Sequence, residues 1–127
     1  MTSHVIWIAV SLFLGMMIFQ LLLAVGLPLG NMAWGGNHRI LPLKLRISSL
    51  LSAGLFILAA VVFLQKAKII SVFNWDLGVN ILAWFFVVLF GLSILGNLTS
   101  NSGLEKKIMT PIAITLTVLC LILTLEI

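Results

Sequence analysis

Four long apolar runs, with no charged side chain in the middle of any of them, dominate this sequence. A helix needs about 20 largely apolar residues to cross the hydrocarbon core, and away from water it must satisfy its own backbone hydrogen bonds. The runs fall at residues 5–29, 43–65, 77–98 and 108–125. Together they consume most of the 127 residues, leaving short connections and no room for a separate catalytic domain. The reading is one transmembrane domain over residues 1–127: an all-α bundle of four transmembrane helices, arranged as two helical hairpins. The chain is 62% hydrophobic and 8% charged, with a mean hydropathy of +1.30, far from the composition of a water-soluble domain.

Local signals set the expected boundaries. Trp7 suits an interfacial anchor, while Gly26, Pro28 and Gly30 loosen the far end of the first run. Pro42 fits the first turn of the second helix, where a missing amide proton costs nothing, and Thr110-Pro111 reads as a cap and first turn for the fourth. Lys66 and Lys68 suit both a helix C-terminus and lipid headgroups. Asn74-Trp75-Asp76 reads as an interfacial turn with an acidic cap. The Met-Thr-Ser-His start lacks the basic region of a secretory signal, so the first run is expected to stay as a helix.

Charge gives an expected orientation. Arg39, Lys44 and Arg46 in the first connection and Lys106 and Lys107 in the third place five basic residues on one face, against Lys66 and Lys68 on the other. Basic loops are retained in the cytoplasm, which turns both termini outward. The basic residues are not interleaved with aromatics in a stripe, so anionic lipid headgroups rather than nucleic acid are the expected partner.

Ion-coupled transporters place an ionisable group in mid-membrane, and small four-helix multidrug exporters carry a glutamate in their first helix. Here the first run offers only Ser11 and Gln20, which speaks against proton coupling. Gln20, Ser49, Asn80 and Asn97 are expected to make polar contacts between helices, because an unpaired amide in hydrocarbon is costly. Ser11-x-x-x-Gly15, Gly26-x-x-x-Gly30 and Ser49-x-x-x-Ala53 have the spacing that lets helix backbones approach.

The densest polar chemistry is Trp34-Gly35-Gly36-Asn37-His38-Arg39. Glycine and asparagine tolerate positive φ, so successive amide protons can face one concavity, with donors from His38 and Arg39 and a stacking face from Trp34. Two readings stand: a site for a phosphate or carboxylate group, or an interfacial turn resting on lipid headgroups. His4, His38 and Cys120 have no metal-binding spacing and no catalytic constellation is visible, so neither metal, cofactor nor enzymatic activity is expected.

The string Gly26-Leu-Pro28-Leu-Gly30, continued by Ala33-Trp34-Gly35-Gly36-Asn37-His38-Arg39-Ile-Leu-Pro42 and Arg46, resembles a group of small uncharacterised bacterial membrane proteins. In that group a Trp-Gly-Gly-x-His-Arg-like loop follows the first of four helices. The likeness extends to the second hairpin, where Asn101-Ser102 precedes Glu105-Lys106 and Pro111. It implies four helices and a bacterial cytoplasmic membrane, and it brings no activity with it. Three functions follow in order of support. The first is a structural or regulatory bundle packing against a second copy or another membrane protein. The second is a channel or carrier for a small neutral or anionic solute, with the 34–39 loop at its mouth. The third is a lipid-modifying enzyme.

Overall fold

Apolar side chains without an interrupting charge carry each run into a continuous helix. The computed structural model describes residues 2–126 and contains α1 (Thr2–Ala24), α2 (Leu43–Lys66), α3 (Asp76–Leu98) and α4 (Gly103–Glu126). Two short 3₁₀ turns, Gly30–Met32 and Trp34–Gly36, lie in the first connection. Each of the four helices is long and apolar enough to cross a membrane, and together they form the bundle of a multi-pass membrane protein. α1 packs most extensively on α2 and α3 on α4, and the two hairpins meet chiefly through α1 with α4 and α2 with α3.

Two helix ends differ most from the expected ones. α1 stops at Ala24 rather than continuing to residue 29. Gly26 takes a φ of +95°, its N–H donates to Leu23 O at 3.1 Å, and Leu27 N–H reaches back to Leu22 O at 3.2 Å. That pair of bonds is a Schellman termination. The Arg46 guanidinium from α2 then donates from Nε to Ala24 O at 2.9 Å, occupying one of the carbonyls the helix end leaves open. α4 starts at Gly103, so Pro111 lies inside the helix and Thr110 is buried there instead of capping it. Ser102 is the cap: its Oγ accepts from Glu105 N–H at 3.3 Å. α1 also begins three residues early, at Thr2, and the remaining ends shift by a single residue or not at all. Pro42 sits just before α2, and Asp76 is the first residue of α3 rather than its cap.

The half of the bundle nearest the termini and the 67–75 connection is filled by side chains. Phe13 stacks on Phe63 and on Phe90, and Phe90 stacks in turn on Phe86 and Phe56, with ring centroids 5.7–5.9 Å apart. Ile6, Ala9, Val62, Ala83, Cys120 and Leu123 close around these rings. The 67–75 connection is tied down by Gln65, whose amide bonds Val72 and Phe73, and by Lys66 Nζ donating to Asn80 Oδ1 at 2.6 Å.

Candidate functional site

The first connection folds back over the opposite end of the bundle. Gly30 N–H donates to Arg39 O at 2.8 Å, and a Cβ on Gly30 would collide with the His38 carbonyl, so the loop closes there because residue 30 has no side chain. Trp34, Gly35 and Gly36 all take positive φ, at 51°, 83° and 73°. This left-handed run is strained at Trp34, which is not a glycine. It turns the indole inward, where Nε1 donates to Ser49 Oγ at 2.9 Å. Gly36 lies against Ser102, and Asn101 Nδ2 donates to Asn37 Oδ1 at 3.4 Å, which joins the first connection to the third.

Beneath this cover lies a cavity of about 430 Å³ walled by all four helices. That size falls within the range of small-molecule pockets, about 300–1,000 Å³. Its floor is Phe56 and Phe90, two members of the aromatic stack that fills the other half. Among its lining residues, Trp34, Leu55 and Gly96 are themselves exposed, and a Cβ at Gly96 would meet nothing within 4 Å. The cavity is therefore open beside these residues, between α2 and α3 below Trp34.

The cavity wall is apolar except for a few groups, and two of those have unmet hydrogen-bonding capacity. Gln20 Oε1 and Glu105 Oε1 are both buried without a partner, and Glu105 as a whole is only 5% exposed. The position of Glu105 follows from a modified cap. Ser102-Gly103-Leu104-Glu105 has the spacing of a capping box, in which the glutamate would accept from the N–H of the capping serine. Here Ser100 Oγ accepts from Ser102 N–H at 3.1 Å. The carboxylate is thereby released from its local role and turned into the cavity, within the first turn of α4, where the helix dipole favours an anion. No cation pairs with it among the described residues. The serine hydroxyls on the wall have used their donors, Ser52 Oγ to Ser48 O at 3.0 Å and Ser93 Oγ to Leu89 O at 3.0 Å, and Asn97 Nδ2 has used one of its two, to Met109 O at 3.3 Å.

The expected site residues divide. Trp34 and Gly35 line the cavity, while Asn37, His38 and Arg39 are exposed on the outer side of the loop, and the His38 and Arg39 side chains make no hydrogen bond among the described residues. The expected concavity of amide protons is altered as well, because Gly36 N–H is used by Ala33 O at 2.9 Å. Asn80 and Asn97 make contacts between helices, to Lys66 on α2 and to Met109 on α4 respectively. Ser49 is bonded by the loop's Trp34 rather than by another helix. The bond expected of the Gln20 carbonyl is not formed, because Gln20 faces the cavity instead of a neighbouring helix. Glu105 was not singled out by sequence, since Glu105-Lys106-Lys107 reads as a solvated run and its burial depends on the first connection folding over it. No group of three metal-ligating side chains occurs among the described residues. Comparison with family models, with curated proteins and with solved structures finds no match.

Proposed function

We propose that this chain is a ligand-binding protein of the bacterial cytoplasmic membrane, holding a small amphipathic molecule between its two hairpins. One observation carries the reading: a carboxylate that is 5% exposed and unpartnered at Oε1 lines a cavity of about 430 Å³. Burying an unpaired charge is costly, and a bundle that served only to pack would be expected to fill this space or pair the group. The stacked Phe13, Phe56, Phe63, Phe86 and Phe90 support a blind pocket rather than an open conduit. The lateral mouth supports entry from the bilayer. The positive-inside bias supports a cavity in the cytoplasmic half, with both termini outward. His38 and Arg39, on the outer side of the loop, suit contact with anionic headgroups.

A test uses variants retaining one tryptophan each, Trp34 at the cavity or Trp75 at the far end, in phosphatidylcholine nanodiscs titrated with a bromine-tagged alkanol. Saturable quenching of Trp34, weakened by Gly96→Phe, is the expected result. Equal, non-saturating quenching of both tryptophans would contradict the reading. A second reading, self-association through α1, is supported by Ser11 and Gly15, which are both exposed, with open space beside Gly15. Its test is crosslinking in native membranes.

A further inference from the structure

Polar groups on the cavity wall are only partly used by the fold. Trp34 Nε1 is used by Ser49, Asn97 Nδ2 by Met109 O, and the hydroxyls of Ser52 and Ser93 by carbonyls of their own helices. What remains toward the cavity is the Glu105 carboxylate, unpaired with any cation among the described residues, the Gln20 amide with both an acceptor and two donors, the second N–H of Asn97, and the spare lone pairs of the two serine oxygens, so the one charge on the wall is negative. An anionic ligand would set its own charge against Glu105. A hydroxyl brings one donor and no charge. An ammonium brings up to three donors and the opposite charge.

We infer that the cavity takes an amphipathic amine, its charge met by the Glu105 carboxylate and its apolar body lying against Phe56, Phe90 and Leu116. This rests on the reading of the cavity as a binding site. The wall beyond the acceptors is aliphatic and aromatic, so a fully hydrated cation such as sodium gains nothing there in exchange for its water, whereas an alkyl or aryl body does. The mouth between Leu55 and Gly96 admits such a molecule from the bilayer, where an amphipathic amine concentrates.

The experiment uses the protein with Trp34 as its sole tryptophan, in phosphatidylcholine nanodiscs whose headgroups carry no N–H. Three bromine-tagged probes of equal chain length are compared, an alkylamine, an alkanol and an alkanoate, by quenching of Trp34. The amine should bind at least tenfold more tightly than the alkanol, with the alkanoate weakest. Glu105→Gln keeps the shape of the side chain and removes the charge; it should erase the advantage of the amine over the alkanol. Equal affinity of amine and alkanol, or an amine advantage that survives Glu105→Gln, overturns the inference and leaves the binding site in place. Absence of saturable quenching by all three overturns both. Replacing part of the phosphatidylcholine with phosphatidylethanolamine should not displace the amine, since the lipid phosphate would meet the same acceptors. Displacement would assign the site to a lipid headgroup instead and contradict the free-amine assignment.

Discussion

Gln65 and Gln20 are the same side chain at opposite ends of the bundle. At the end of α2, Gln65 donates from Nε2 to Phe73 O at 2.7 Å and accepts at Oε1 from Val72 N–H and Phe73 N–H at 3.0 and 2.7 Å. On α1, Gln20 Oε1 is buried with no partner. The surroundings follow the same division. Phenylalanines fill the half beside the 67–75 connection, and the half beneath the first connection encloses a cavity with an orphaned carboxylate. Polar groups that serve the fold are satisfied by local backbone. Two of the three buried side-chain atoms without a partner, on Gln20 and Glu105, belong to residues of the cavity wall, under a loop with positive φ at three successive residues, and the third, Thr110 Oγ1, does not.

Breaking the filled half should have the largest effect. Phe90→Ala removes a 5% exposed ring stacked on Phe13, Phe56 and Phe86, and should cost about 3 kcal/mol. It should also open the cavity floor. Thermal unfolding in detergent measures the first effect, and a gain of bromoalkanol quenching at Trp34, which lines the cavity, measures the second. A loss as small as that of a surface substitution would mean the stack does not close the pocket.

Trp34→Phe keeps an aromatic ring over the cavity but removes the Nε1 donor to Ser49, which is fully buried. About 1 kcal/mol of stability should be lost, and Ser49→Ala combined with it should add little further, because the two share one bond. Additive losses would show that the indole and the serine act separately.

Gln20→Leu sharpens the comparison by its sign. If Gln20 served the fold as Gln65 does, replacing it would destabilise. With its carbonyl orphaned, the substitution should instead stabilise by about 1 kcal/mol in the absence of ligand. Gln65→Leu, measured beside it, should destabilise, since it strands Val72 and Phe73 N–H. The smallest effect belongs to Lys68. It occupies the left-handed position that ends α2, at φ 62°, with its N–H donating to Gln65 O and Ile69 N–H to Leu64 O. Lys68→Gly should stabilise by roughly 0.5 kcal/mol.

The four helices and their hairpin order were legible because apolar runs of that length with no charge in their middles have one physical solution in a bilayer. The α1 terminus was less so: Gly26, Pro28 and Gly30 all signal an end, and which one acts depends on Arg46 arriving from α2 to take the Ala24 carbonyl. Pro111 misled because proline favours a first turn, yet inside a membrane bundle a proline within a helix is tolerated where neighbouring groups re-satisfy the backbone. Of the site, Trp34 and Gly35 were legible as unusual. Glu105 was not, because its capping spacing and its two lysine neighbours both describe a solvated helix start. Its burial is decided by Ser100 taking the Ser102 N–H and by Gly36 seating on Ser102, contacts made across the end of the bundle rather than along the sequence.

The orientation can be examined on a silent background, because Cys120, the one cysteine, is buried. Cysteines introduced at the exposed Asn74 and Asn101 should label from outside intact cells at Asn74 alone. Labelling at Asn101 alone would reverse the bundle and place the cavity in the outer half.

The central claim is that Glu105 lies in a cavity reached from lipid, and its own reactivity tests this most directly. Membranes containing the protein are treated with a lipid-soluble carbodiimide, which modifies carboxyl groups, and the adducts are mapped by mass spectrometry. A dominant adduct on Glu105 is expected, lost when Gly96→Phe blocks the mouth, with little modification of the exposed Asp76. An unmodified Glu105, or modification equal to that of Asp76 and unchanged by Gly96→Phe, would contradict it.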